Sequence, residues 1–347
     1  MTHTLKPKTL SYILTGILPV ILLLTGNWVL AQKLRMQDTE TRPVLSQQDA
    51  LFDFDGDGKT DISIYRYSEG EWWSLNSNGG NSATKFGTQN DYPLADDFTG
   101  DGVTDRAFFR FSTGEWFVLR SEDHSYYSFP FGTNNDFPFT GDFDGDGKAD
   151  PGLFRSLNGP GPSTYYIKLS SGGVRIEQFG SAGDQTYTSD YDGDGKDDLA
   201  IYRSQDAEWW IKESSTGIVR VYKFGIEEGS VLAQSDHNLG GGSFSYPIPA
   251  DYTGDGKTDV AYFTNQGEWY VLRSEDESYY SFPFGTDQDF PLLGDYDGDG
   301  RADPGVLRPT NNTWYLLQST EGFKAVTFGD IDGSTDIPLS AYRTGIL

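Results

Sequence analysis

The 347-residue chain has no cysteine and sets 52 acidic residues against 26 basic ones, a formal charge of -26. These values exclude a disulfide scaffold and a thiolate metal site, and they leave no basic patch to neutralise phosphates, so neither nucleic acid nor an acidic membrane surface is an expected partner. The 42 glycines point to short strands joined by tight turns, and the 23 Phe, 21 Tyr and 8 Trp require a core, which excludes disorder.

In chain order, Lys6 and Lys8 precede an apolar stretch from Tyr12 to Ala31 that is broken by Gly16, Pro19 and Gly26. Basic, apolar and small residues in that order form a secretory signal, with Val29 and Ala31 at the positions a signal peptidase reads and cleavage before Gln32. An uncleaved N-terminal membrane anchor is the alternative, since about twenty residues just span a bilayer. Either outcome places the remainder outside the cytoplasm, extracellular or at the cell surface. Residues 1–31 are therefore assigned to the signal, 32–48 to a polar linker without periodicity, and 49–347 to the folded domain.

That domain is a repeat. DFDGDGKTD begins at Asp53, DFTGDGVTD at Asp97, DFDGDGKAD at Asp142, DYDGDGKDD at Asp190, DYTGDGKTD at Asp251 and DYDGDGRAD at Asp295. A strand-like run follows each motif and ends in Arg66, Arg110, Arg155, Arg203 or Arg308, with Thr264 the exception. A second run carries EWW, EWF, TYY, EWW, EWY or TWY, a third ends in Phe-Gly, and a fourth, often through Asp-x-Pro, leads into the next acidic motif. Four short strands per unit of about 45 residues predict an all-β fold, a β-propeller of four-stranded blades. Gly114–Arg155 and Gly267–Arg308 agree at 32 of 42 positions, displaced by three repeats, which favours six blades. Seven is the alternative, one blade then being assembled from both chain ends. The run DIPLSAY at 336–342 resembles a fourth run with no acidic motif after it, and is expected to complete the first blade and close the ring. About sixteen extra residues at 229–245 form a glycine-rich insertion and are the one candidate for a blade-specific contact.

The acidic motif is a candidate metal loop, because hard oxygens at alternating positions, bent by glycine, suit a calcium ion taking six to eight ligands at about 2.3–2.6 Å. Carboxylates fall at positions 1, 3, 5 and 9, with a backbone carbonyl available at position 7: Asp53, Asp55, Asp57, Lys59 and Asp61 in loop 1; Asp142, Asp144, Asp146, Lys148 and Asp150 in loop 3; Asp190, Asp192, Asp194, Lys196 and Asp198 in loop 4; Asp295, Asp297, Asp299, Arg301 and Asp303 in loop 6. Loop 2 (Asp97, Thr99, Asp101, Val103, Asp105) and loop 5 (Asp251, Thr253, Asp255, Lys257, Asp259) replace the second acid with threonine and are expected to bind more weakly. An EF-hand is excluded, since position 12 of the first motif is Ile64, inside a strand. Two like charges about 4 Å apart repel by roughly 1 kcal/mol even in water, so empty loops would strain the fold and about six Ca²⁺ ions would relieve it.

An acidic DxDxDGxxD loop, an apolar strand ending in Arg, a Trp-bearing strand and a closing Phe-Gly together resemble the FG-GAP/VCBS repeat family, over about 295 residues and six motif copies. The resemblance implies a calcium-binding β-propeller related in plan to the head of integrin α subunits, secreted or at the cell surface, acting in adhesion or ligand binding. A seventh acidic motif is absent.

Catalysis finds little to build on. His3 lies in the signal, His124 is matched by Glu277 in the duplicate, and His237 sits in the insertion without an apparent nucleophile or metal partner. The recurrent Arg and the Trp and Tyr residues are expected to pack between blades, with SYYSFPFG at 125 and 278 the best candidate for sugar stacking. The expectation is a non-catalytic binding module for a glycan or another surface protein. A carbohydrate-active enzyme with its site at the central channel, and a structural envelope protein, are the alternatives.

Overall fold

The computed structural model describes residues 50–156, 161–227, 245–330 and 336–342. The signal, the linker, His3, and the insertion up to residue 244, with His237, lie outside the described residues. No helix among the described residues is long and apolar enough to cross a membrane.

Six four-stranded antiparallel sheets form the blades of a β-propeller. Blade 2 shows the plan: an inner strand Asp91–Asp96, a second strand Asp105–Arg110, a third strand Glu115–Leu119 and an outer strand Tyr126–Pro130, each paired with the next. The acidic loop joins the inner strand to the second. The repeat unit of the sequence and the blade are thus offset by one strand, because the fourth run of each unit becomes the inner strand of the following blade. Blade 1 is completed from the far end of the chain, where Asp336–Pro338 pairs with Ile62–Arg66 in the register Ile64↔Pro338, Tyr65↔Ile337, Arg66↔Asp336. Six blades and closure by the 336–342 run both agree with the sequence, and the seven-blade alternative does not hold.

Strands without polar alternation, such as Val260–Thr264 with every residue buried, follow from burial on both faces, since each sheet is sandwiched by its neighbours. Apolar clusters fill the contacts between blades: Phe109 and Trp116 of blade 2 meet Leu153 of blade 3, and Ile62 and Ile64 of blade 1 meet Leu307 and Trp314 of blade 6. Five third-strand tryptophans, Trp72, Trp116, Trp209, Trp269 and Trp314, are fully buried, and each donates its indole N–H to the carbonyl of the blade's own Phe-Gly phenylalanine at 2.6–3.1 Å. Burying such a ring contributes on the order of 3 kcal/mol. Blade 3 has Tyr165 there, whose hydroxyl bonds to Thr186 and the Ala200 carbonyl of blade 4 instead. The aromatic repeat is therefore packing, as expected, except along the outer strands, where Tyr126 and Tyr279 are more than half exposed.

Candidate metal centre

All six acidic loops lie at one end of the ring, and the backbone ties them to one another. The N–H at position 8 of each loop donates to the position-1 carbonyl of the preceding loop: Thr60 to Asp295, Thr104 to Asp53, Ala149 to Asp97, Asp197 to Asp142, Thr258 to Asp190 and Ala302 to Asp251, every bond at 2.7 Å. Six loops thus form one closed circuit of hydrogen bonds. Within each loop the position-1 carboxylate accepts the N–H groups of positions 4, 5 and 6, for example Gly56, Asp57 and Gly58 on Asp53. Such a turn requires positive φ at the two glycines, 75° at Gly56 and 83° at Gly58, and a Cβ on Gly56 would stand 3.0 Å from Val103 of the next loop.

The position-9 carboxylates, Asp61, Asp105, Asp150, Asp198, Asp259 and Asp303, are almost wholly shielded from solvent. Each accepts the position-2 N–H and the N–H of a serine at the end of the third strand: Ser77, Ser121, Ser170, Ser214, Ser274 or Ser319. The same serine hydroxyl donates to the position-5 carboxylate in all six blades, from Asp57 through Asp101, Asp146, Asp194 and Asp255 to Asp299. Sequence reading missed this serine, although its signal is present as a Ser closing every third strand. Burial is the largest influence on the position-9 acids and pushes them up, to about 7 for Asp61, Asp198 and Asp303 and about 6 for Asp105, Asp150 and Asp259.

Positions 1, 3 and 5 converge. Carboxylate oxygens of Asp53, Asp55 and Asp57, of Asp142, Asp144 and Asp146, of Asp190, Asp192 and Asp194, and of Asp295, Asp297 and Asp299 lie within 4.8 Å of one another. The position-9 acids are outside these groups, their oxygens being taken by the N–H donors above. Asp144, Asp192 and Asp297 each accept a hydroxyl, from Ser171, Ser215 and Thr320, leaving Asp144 Oδ1 and Asp297 Oδ1 sealed from solvent without a hydrogen bond. Loop 1 has Asn78 at that place, and both oxygens of Asp55 are sealed off without a well-formed hydrogen bond. Burial, then the charge of Asp57, pushes the Asp55 carboxyl up, with the backbone of Asn78 opposing. Loops 2 and 5 bring together fewer acids, and Thr253 Oγ1 is itself sealed without a partner. There the residue after the serine is an exposed acid, Glu122 or Glu275, in place of a hydroxyl or amide.

Position 7 contributes a side chain as well as its carbonyl. Lys148, Lys196, Lys257, Arg301 and Lys59 each lay their stems against the position-4 glycine of the preceding loop, and Lys59 reaches Glu321 of blade 6 at 3.4 Å. Loop 1 receives Val103 instead, so the carboxylate with two orphaned oxygens is also the one without a neighbouring cationic stem. An all-oxygen donor set with sealed, undonated oxygens fits a hard divalent cation.

At the opposite end of the ring the recurrent arginines do other work. Arg66, Arg110, Arg155, Arg203 and Arg308 make bidentate pairs, at 2.5–3.0 Å, with Asp336, Asp91, Asp136, Asp184 and Asp289, which begin or immediately precede the inner strand of the same blade. Each guanidinium also stands over a third-strand ring, Trp73, Phe117, Tyr166, Trp210 or Tyr315, at 4.6–5.3 Å. Stacking was expected, but the anion was not: it is the Asp of Asp-x-Pro in four blades and Asp184 of Asp-Gln-Thr in blade 4, and the signal was that blade 5 loses both members together, with Ser245 opposite Thr264. His124 occupies an exposed turn with φ 57°, the same as its counterpart Glu277.

Fold and site define a six-bladed β-propeller with six acidic loops on one face. No family model matches the chain, and no curated protein matches it. Among solved structures it is similar to a streptogramin B lyase at 10% identity and TM-score 0.48, covering 78% of this chain and 80% of that one. It is also similar to virginiamycin B lyase from Staphylococcus aureus (10%, TM-score 0.45, 80% and 87%) and to TolB from Acinetobacter baumannii (14%, TM-score 0.49, 79% and 63%). The blade count rests on the strand pairing of this chain itself.

Proposed function

We propose that this is an exported, calcium-loaded propeller of the FG-GAP/VCBS type that acts as a binding module for a glycan or another surface protein. The observation that carries the reading is Asp55: a carboxylate that converges with two neighbouring acids, its two oxygens sealed from solvent without a well-formed hydrogen bond, in a loop repeated around a closed ring. Asp53, Asp55 and Asp57, and their counterparts in loops 3, 4 and 6, would hold the ion, which would offset the repulsion among their converging carboxylates. Loops 2 and 5, with Thr99 and Thr253, bind more weakly. Support for binding over catalysis comes from the position-1 and position-9 acids, which are engaged in holding turns, and from His124, which lies in an exposed turn.

Equilibrium dialysis of the purified domain with calcium tests this reading, the expected result being at least one ion for each three-carboxylate loop and loss of one strong site in Asp55→Asn. Fewer than one bound ion per ring would end it. A glycan array probed with and without calcium reads the ligand class; calcium-dependent capture of a glycan set selects the glycan over a protein partner.

A further inference from the structure

Blades 2 and 5 provide an internal template for a binding seat. In blade 2 Phe108 and Phe117 stack at 4.6 Å and 16°, and Arg110 lies over both, 4.6 Å from the Phe117 centroid and 5.1 Å from that of Phe108. Glu115, on the same strand as Phe117, adds a favourable charge to that guanidinium. Blade 5 repeats the platform: Tyr262 and Tyr270, at the same register, stack at 4.8 Å and 7°, and Glu268 stands where Glu115 does. What differs is the base. Thr264 replaces the arginine, and Ser245 replaces its aspartate.

Equivalence of the two places is shown by the turn beside them. Asp91 accepts the Thr88 N–H at 2.8 Å, two residues past the Phe-Gly phenylalanine, and Ser245 Oγ accepts the corresponding Ile226 N–H at 3.4 Å. Serine keeps the turn but cannot pair with a guanidinium. The Thr264 hydroxyl turns inward to accept the N–H groups of Gln266 and Glu268. Among the described residues no cation stands over Tyr262 or Tyr270, no ion pair engages Glu268, and Asn265 Oδ1 is sealed beside them without a donor. The insertion at 229–245 contains no Lys or Arg to supply one.

We propose that blade 5 receives from outside what the other five blades carry within: a guanidinium, presented as an arginine side chain by a protein partner, seated over the partly exposed Tyr270 ring, which the buried Tyr262 backs, and paired with Glu268. A planar, delocalised cation suits the site better than an ammonium, because it stacks on a ring face while donating at its edge. This names the partner class of the binding module proposed above and rests on that reading. It does not depend on the calcium loops, which lie at the opposite ends of the second strands.

Titration of the intact domain with Nα-acetyl-arginine amide, followed by saturation-transfer NMR, tests it, with the neutral citrulline analogue as the control for charge. Saturable binding in the millimolar range is expected for the arginine probe, at least about fivefold weaker for citrulline, and reduced about two- to fivefold by Tyr270→Leu. Ser245→Asp with Thr264→Arg installs the internal pair and is expected to abolish probe binding while the melting temperature holds or rises. Should that double variant fold poorly, Glu268→Gln, at a partly exposed position, serves alone and is expected to weaken the probe. Absence of saturable binding, equal binding of citrulline, or binding unchanged in the double variant or in Glu268→Gln overturns the seat. Calcium dialysis on the same samples reads the acidic loops separately, so a failed seat and a failed calcium reading are distinguishable.

Discussion

The two faces of the ring handle negative charge in opposite ways. On the acidic-loop face, carboxylates are held by backbone N–H groups and serine hydroxyls, which orient them but do not neutralise them, and some oxygens remain without any donor. On the other face each buried aspartate meets a guanidinium of its own blade, so the charge is settled within the chain. One face holds its carboxylates with uncharged donors. The other is complete in five blades and incomplete in the fifth.

Removing divalent cations should separate the faces most strongly. A ligand at a hundred times its dissociation constant adds about 2.7 kcal/mol per site, so four occupied loops imply that chelator lowers the melting midpoint by about 10 °C or more, measured by calorimetry. Next in size is the internal pair: Asp91→Ala deprives Arg110, Thr88 N–H and Thr88 Oγ1 of their acceptor and should cost about 3 kcal/mol in urea unfolding. Ser245→Ala, at the matching place in blade 5, should cost about 1 kcal/mol or less. Equal costs would erase the contrast between the blades.

Between pH 5 and 8 the shifted acids are those of the loop face. The position-9 acids are raised by burial to about 6 or 7, above the unfolded value, so their contribution is fully present at low pH and is lost as pH rises through that range. With chelator present, lowering pH from 8 to 5 should therefore raise the melting temperature. A falling midpoint over that window would contradict the burial of these groups. The smallest effect lies on the opposite face, where Ala207 occupies a hairpin position at φ 52° that Gly114 and Gly267 hold in their blades. Ala207→Gly should stabilise by about 0.5 kcal/mol, the relief of left-handed strain slightly exceeding the added chain entropy.

Much of this architecture was legible because repetition exposes it. Six acidic motifs, a three-repeat duplication and an orphan run at 336–342 led to six blades and a ring closed by the last strand, since each unit carries its own turn chemistry. The Asp91–Arg110 kind of pair was not legible. Its members lie 19 residues apart in most blades but on opposite sides of the acidic loop, and only strand register brings Asp91 across from Arg110. The serine at the end of the third strand escaped for the same reason: Ser77 acts on Asp57 and Asp61 through the return of a hairpin, not through local spacing. Composition pointed to the carboxylates, whereas the donors that hold them are short, common residues whose meaning appears only when the sheet is folded.

Closure by Asp336–Pro338 ties the timing of assembly to the order of synthesis. Until those residues emerge, blade 1 has three strands, Arg66 lacks its carboxylate, and Ile64 and Tyr65 have an unpaired inner edge. The annulus is therefore latched last, and any force or protease that frees this short clasp opens the seam between the first and sixth blades before it disturbs the others.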